Sequence, residues 1–274
     1  TFMLRIILLL TLSILFSFNQ TIACSILYFV DQENGKIYIV NNEDYWYDED
    51  AYLQFMPSSK DTYARLWYGW DKFAQGGVNE HGLCFDGAVT PEQEIPEGYK
   101  GPNGRNIGDE LLASCKTVEE GIAFLEEKKI ALANAHFFLG DGEGNAVILE
   151  WIEGEKQIIQ KEGNYLIATN YLLAKPEAGN YPCYRYNSIQ ERVKQLELQA
   201  EPVTLQQVGM AAAGAVQVPK EVGNGKTGGT LYTSFINISD GEFVLVPKLN
   251  NEKVIKLDLN SLFAEKKKRK IKLD

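Results

Sequence analysis

Cys24-Ser25-Ile26-Leu27-Tyr28-Phe29-Val30 and Lys36-Ile37-Tyr38-Ile39-Val40 flank the turn-like Asp31-Gln32-Glu33-Asn34-Gly35, and Asn41-Asn42-Glu43-Asp44 follows directly. Two short runs rich in β-branched and aromatic residues, separated by Asn, Asp and Gly, predict a β-hairpin over 25–30 and 36–40. A hairpin brings its two ends together. The cysteine at its head is therefore expected beside the carboxylates and amides at its foot. On the N-terminal side of Cys24, Arg5 precedes a largely apolar run over 6–16, then Asn19-Gln20 and the small residue Ala23. This is the pattern of a secretory signal, with Met3 as its expected first residue and residues 1–23 expected to be removed. The run is shorter than the about 20 apolar residues of a membrane span, so none is expected once the signal is gone.

A cysteine directly after such a leader has three readings. Cleavage after Ala23 exposes Cys24 as a nucleophile whose own α-amine accepts the thiol proton. Lipidation instead makes Cys24 the anchor of a lipoprotein, although Thr21 stands where lipoprotein signals usually carry Leu. The third reading is an ordinary cysteine near a cleavage site that falls a few residues away.

Composition narrows the chemistry. The 274-residue chain carries a net charge of −10, which argues against nucleic acid as a partner. Four cysteines are too few and too scattered for a disulfide scaffold or a metal cluster, although one bridge among Cys84, Cys115 and Cys183 is left open. There are only two histidines, His81 and His136, and neither sits in a motif that supplies a base to a nucleophile. An α-amine, with a reference pKa of about 7.7–8.0, can act as that base, and a thiol at about 8.5 is matched to it. No metal and no organic cofactor is expected. His81, His136, Asp141 and Glu150 read as structural. Tyr45, Trp46, Tyr47, Phe55, Trp67, Tyr68 and Trp70 read as pocket wall or core.

Beyond the hairpin, strands are predicted over 64–70, 82–85, 136–139, 146–152, 165–169, 231–238, 242–246 and 253–257. Helices are predicted over 107–115, 118–128, 185–198 and 205–215. Strands at both ends with helices between them imply an α+β fold in which distant segments pair. With no Pro- or Ser-rich linker, residues 24–274 read as one domain. The glycine-rich 223–229 reads as a loop and not a phosphate cradle, because it precedes a strand. The basic run 266–270 reads as a solvated terminus.

Cys24 after a leader, Asn41-Asn42-Glu43-Asp44-Tyr45-Trp46 and Gly76-Gly77-Val78-Asn79-Glu80-His81-Gly82-Leu83 together resemble the N-terminal nucleophile hydrolases that cut linear amides. This is the group of choloylglycine hydrolases, penicillin V acylases, acid-ceramidase-like amidases and the isopenicillin N acyltransferase type. Ala168-Thr169-Asn170-Tyr171, Cys183-Tyr184-Arg185-Tyr186 and Thr230-Leu231-Tyr232-Thr233-Ser234 continue the resemblance in the same order. It implies a four-layer αββα sandwich and, position by position, a set of roles. Cys24 is nucleophile and base. Asp44 holds the amine and thiol, Asn170 donates to the oxyanion, and Arg185 favours the thiolate. Asp86 falls where relatives supply a further oxyanion or substrate contact, here expected from its backbone N–H. Asn41 stands where many relatives have Arg, which removes a fixed charge and a fork of donors.

The expected activity is hydrolysis of a linear amide of a small N-acyl molecule through a thioester on Cys24, in a secreted or periplasmic protein. Acyl transfer to an amine acceptor is the enzymatic rival. A lipid-anchored binding protein that has lost the chemistry is the rival from another class. The sequence leaves the oligomeric state open, a homo-oligomer included.

Overall fold

The computed structural model describes residues 24–221 and 225–274, so the leader and part of the glycine-rich segment lie outside the described residues. The predicted hairpin forms as β1 (Ser25–Asp31) and β2 (Lys36–Trp46), with Asp31 paired to Lys36 and Ser25 to Asn42. β2 runs on past the predicted end, so Asn41 to Asp44 lie inside a strand. Both hairpin strands are buried almost throughout, which fits apolar side chains on both faces.

The hairpin is the centre of a seven-stranded sheet. β1 also pairs β10 (Tyr165–Ala168), and β2 pairs β12 (Thr227–Asn237), which leads through β13 (Glu242–Pro247) to β14 (Ile255–Asp258); the short β11 (Lys220–Glu221) joins β12. A second sheet of eight strands runs β15 (Arg269–Leu273), β3 (Ala51–Met56), β4 (Arg65–Trp70), β5 (Phe73–Asn79), β6 (Cys84–Asp86), β7 (Phe137–Gly140), β8 (Ala146–Ile152) and β9 (Glu155–Gln160). All named pairings are antiparallel.

Alternation along the strands sorts the core into three layers. Ile26, Tyr28 and Ile39 of the first sheet meet Leu53, Tyr68 and Phe138 of the second between the sheets. Leu27, Phe29 and Val40 point the other way, onto α3 (Tyr184–Leu196) and α4 (Leu205–Ala212). Phe85, Leu139 and Trp151 leave the second sheet on its outer face to meet α1 (Ile107–Ser114) and α2 (Val118–Glu127). The result is the expected αββα stack, with a short α5 (Leu259–Ala264) after β14. Helix starts are set locally: Thr204 and Gln207 form a reciprocal capping box on α4, and the Thr117 side chain caps α2.

Two expectations are corrected. The basic run does not end as a solvated tail: Arg269–Leu273 is an edge strand pairing β3, where alternating Lys keeps the sheet edge from recruiting another chain. Thr227, Gly228 and Gly229 are not loop but the start of β12, and a Cβ on Gly229 would stand 3.0 Å from the Gln217 carbonyl. Among the described residues no helix is long and apolar enough to cross a membrane. Cys84, Cys115 and Cys183, left open for a bridge, are buried free thiols.

Candidate active site

The site grows out of the hairpin register. Cys24 precedes Ser25, which pairs Asn42, so the Cys24 side chain falls on the same face as Glu43 and not Asp44. Continuing the β1–β10 register from Ile26 and Ala168 sets Asn170 on the other side of Cys24, and Glu43 pairs Tyr232. Cys24, Glu43 and Tyr232 thus form one row across the sheet, with Asn170 just past the end of β10.

The thiol is held by Glu43: Cys24 Sγ donates to Oε1 at 3.1 Å. Asn41, one alternation back on the same face, donates from Nδ2 to Glu43 Oε2 at 3.1 Å. Its Oδ1 is buried without a hydrogen-bond partner. Asp86 approaches from β6 of the opposite sheet. Its Oδ2 accepts from Tyr68 OH at 2.9 Å and its Oδ1 from the Gly87 N–H at 2.8 Å. A Cβ on Gly76 would lie 2.4 Å from Asp86 Oδ2 and 2.4 Å from the Tyr68 ring, so this approach requires glycine there.

Asp44 points to the other face. Its Oδ1 accepts from Thr230 Oγ1 at 2.5 Å and its Oδ2 from Gln217 Nε2 at 2.8 Å. Arg185 Nη1 stands 3.8 Å from that second oxygen. α3 delivers this arginine, because Arg185, Ile189, Val193 and Leu196 form its buried stripe. The guanidinium ties the site together, donating from Nη1 to the Cys24 carbonyl at 3.2 Å and from Nη2 to Asn170 Oδ1 at 3.0 Å. Asn170 Nδ2 gives one hydrogen to the Val89 carbonyl at 2.7 Å. Its second remains for another acceptor.

Burial sets the protonation of this cluster. It pushes the Cys24 thiol well above the ordinary thiol range, and the neighbouring Glu43 and Asp44 carboxylates push it further. Burial likewise raises Asp44 to about 8, against the pull of the Thr230 hydroxyl and Arg185. Glu43 and Asp86 are both raised by burial, and the Glu43 charge raises Asp86 further.

The residues expected from sequence are brought together here: Cys24, Asp44, Asn170 and Arg185 form one connected cluster, and Asp86 faces it. Asn41 supports Glu43. The thiol's partner, Glu43, was not singled out by the sequence reading; the pairing of Asp31 with Lys36 across the turn, counted outward, sets Glu43 opposite Cys24. His136 is fully buried and stands in the cavity wall. Its Nε2 donates to the Thr169 carbonyl at 2.8 Å, and its Nδ1 lies 3.0 Å from Glu150 Oε1, off the line of a hydrogen bond. Glu150 in turn accepts from the Leu173 and Ala174 backbones, so the pair clamps the segment that carries Asn170. Of the aromatics, Tyr45 and Trp70 stack at 4.3 Å and line the cavity, whereas Phe55 and Tyr68 belong to the core.

Above Cys24 opens a cavity of about 410 Å³ whose polar groups include Glu43, Asp44, Asp86 and Arg105, with Tyr45, Trp70, Phe73, Phe85 and Phe137 among its apolar ones. A mainly apolar cleft with a few convergent polar groups suits a small organic substrate. The sequence family described as acyl-coenzyme A:6-aminopenicillanic acid acyl-transferase matches residues 30–246. The chain belongs to this family.

Similarity to individual proteins is more distant. Over 112 residues this acyl-transferase family member is 30% identical to a penicillin V acylase of Pectobacterium atrosepticum, a match covering 34% of this chain and 29% of that protein. A variant of the conjugated bile acid hydrolase from Clostridium perfringens superposes with a TM-score of 0.72 at 16% identity, covering 92% of this chain and 97% of that one. The penicillin V acylase from Agrobacterium tumefaciens gives 0.67 at 17% identity, with 90% of each chain covered. These superpositions show the fold, the αββα sandwich of the N-terminal nucleophile hydrolases.

Proposed function

We propose that this protein is an amidohydrolase of the N-terminal nucleophile type, exported and cleaved after Ala23, that opens a linear amide of a small N-acyl molecule through Cys24. The observation that carries the reading is the single guanidinium of Arg185, which contacts the Cys24 carbonyl, Asn170 and Asp44, of which Cys24 and Asp44 line the apolar cavity. One cation fixes the nucleophile, an oxyanion donor and a carboxylate in one frame, which is the positioning that amide cleavage needs.

In the proposed reaction the α-amine of Cys24 takes the thiol proton and sulfur adds to the amide carbon, forming the C–S bond. The oxyanion is met by the second Nδ2 hydrogen of Asn170, a contribution whose loss typically costs about 10²–10³ in rate. The Cys24 ammonium returns its proton to the leaving nitrogen as the C–N bond breaks. Water, deprotonated by the same amine, then adds to the thioester; the C–S bond breaks and the carboxylic acid leaves. Asp44 holds the amine, with Thr230 and Gln217 fixing its carboxylate. No metal or organic cofactor enters these steps.

Acyl transfer is the second reading, favoured by the name of the matched family. It differs only in an amine, in place of water, attacking the thioester.

Intact mass and the N-terminal peptide of protein recovered from its own secretion route test the reading. A free Cys24 at the terminus, with turnover of acyl anilides that Cys24→Ala abolishes, is the expected result. A diacylglyceryl mass on Cys24, or full turnover with an extra residue kept before it, overturns it. Adding an amine acceptor separates the two enzymatic readings through the ratio of amide to acid formed.

A further inference from the structure

Beyond the hydrogen bond that Glu43 accepts from the Cys24 thiol, the proposed reaction gives Glu43 and Asp86 no part. Both carboxylates are buried at the cavity wall beside the nucleophile. Among the described residues, the ion pair at this end of the sheet runs from Arg185 to Asp44, and no ion pair reaches Glu43 or Asp86. Asn41 donates to both carboxylates, which leaves its fully buried Oδ1 with no hydrogen-bond partner. The fully buried hydroxyl of Tyr232, opposite Glu43, is also unpartnered. Unsatisfied buried polar atoms are rare in folded proteins and ask for an occupant.

We propose that Glu43, Asp86 and Asn41 Oδ1 form the recognition site for a substrate ammonium, so that the preferred acyl group carries a primary amine on the first or second carbon beyond the scissile carbonyl. This rests on the amidase reading of Cys24 and adds the substrate class. An ammonium has three N–H donors; Glu43 and Asp86 line the cavity, and Asn41, which donates to both, lies against them with its Oδ1 unpartnered. The Glu43 and Asp86 charges oppose each other, and a single cation between them relieves both.

The position of the amine follows from distance. Glu43 Oε1 is 3.1 Å from Cys24 Sγ. The attacked carbon must come within about 3–3.5 Å of sulfur, and an ammonium within about 2.7–2.9 Å of a carboxylate oxygen. A spacer of one or two carbons sets the amine on Glu43 while the carbonyl carbon stays at sulfur, without the chain folding back. Longer aminoacyl groups carry their charge away from Glu43, in a cavity whose other walls include the apolar Trp70 and Phe137.

The test separates binding from turnover. The Cys24→Ala protein, cleaved after Ala23, is titrated calorimetrically with β-alaninamide and with butanamide, which replaces the ammonium by a methyl group. The expected result is at least about tenfold tighter binding of β-alaninamide, collapsing toward parity in Cys24→Ala/Asp86→Asn and in Cys24→Ala/Glu43→Gln. Equal affinities, tighter butanamide, no binding of either, or a preference that survives both substitutions overturns the proposal. With the intact nucleophile, β-alanyl aminomethylcoumarin should then be cleaved with a kcat/KM at least about tenfold above butanoyl aminomethylcoumarin. A preference for the butanoyl compound counts against the ammonium site. Selective β-alaninamide binding with no cleavage of either coumarin leaves the ammonium site standing and defeats the amidase reading.

Discussion

Glu43 and Asp44 are sequence neighbours on one strand, both buried, yet they have opposite surroundings. Asp44 is held by a hydroxyl, an amide and the Arg185 guanidinium, whereas Glu43 has the Cys24 thiol and the Asn41 amide and no ion pair. Strand alternation alone produces this, turning one carboxylate toward the helical layer and the other into the space between the sheets. The compensated carboxylate suits a fixed part of the catalytic frame. The uncompensated one suits a group that waits for charge from a ligand.

Removing the cation breaks the contrast most severely. Arg185→Met leaves Asp44 as uncompensated as Glu43, and loss of one partner of a buried ion pair typically costs about 3–5 kcal/mol. Urea unfolding should show a loss of that size, with amide turnover gone. A loss under about 1 kcal/mol would mean that the 3.8 Å contact contributes little.

Exchanging each carboxylate for its amide sharpens the contrast. Asp44→Asn should lower kcat about 10²-fold for every amide substrate alike, the usual cost of displacing a reacting group by about 1 Å. Glu43→Gln changes the thiol's partner for every substrate and should, in addition, raise KM for acyl groups that carry an amine. The same KM change for amine-bearing and neutral acyl groups would erase the division of labour.

A smaller effect comes from the opposite sheet. The Cβ of Gly76→Ala meets both Asp86 and Tyr68, and overpacking of this kind costs typically about 1–3 kcal/mol. Urea midpoints should fall accordingly, with weaker discrimination for ammonium substrates because Asp86 is displaced. Unchanged discrimination would separate Asp86 from the ammonium site.

The same contrast explains what was legible in the sequence. The hairpin is legible because apolar β-formers stand on both sides of an Asn-Gly turn, and the strand 146–152 is legible with its observed bounds because it is apolar but for Glu150. β9 and β15 were not read: both are edge strands rich in charge, and charge at an edge protects against pairing while hiding the strand. β5 was hidden by Gly76 and Gly77. A Cβ on Gly77 would lie 2.5 Å from the Leu66 carbonyl, so glycine is there for close approach and not for a turn. In the site, the resemblance pointed to Asp44, Asn170 and Arg185, and these do cluster. Glu43 takes its place from the hairpin register that the turn sets, and Asp86, pointed to by the resemblance, takes its place from the stacking of the second sheet, which no local pattern in the sequence encodes.

The two ends of the hairpin give the finest test, because their buried aspartates respond to pH with opposite signs. At the site end, burial raises Asp44 from 3.8 to about 8. A carboxyl whose folded pKa is raised binds protons more tightly in the folded state, so its contribution favours folding below the unfolded value. That contribution is lost as pH rises from about 4 through about 8. At the turn end, burial also pushes Asp31 up, but hydrogen bonds from the Val203 backbone and the Asn34 side chain and backbone outweigh it and hold the carboxyl below 3.8. Its contribution is present above the unfolded value and is lost as pH falls through the folded one. Urea midpoints measured from pH 3 to pH 8 should therefore change differently in two variants. Asp44→Asn should lose part of the decline between pH 5 and pH 8 and keep the acid limb; Asp31→Asn should keep that decline and lose part of the fall below about pH 4. If both variants flatten the same limb, burial and hydrogen bonding do not divide the hairpin ends in this way, and the Arg185 contact dominates Asp44 instead.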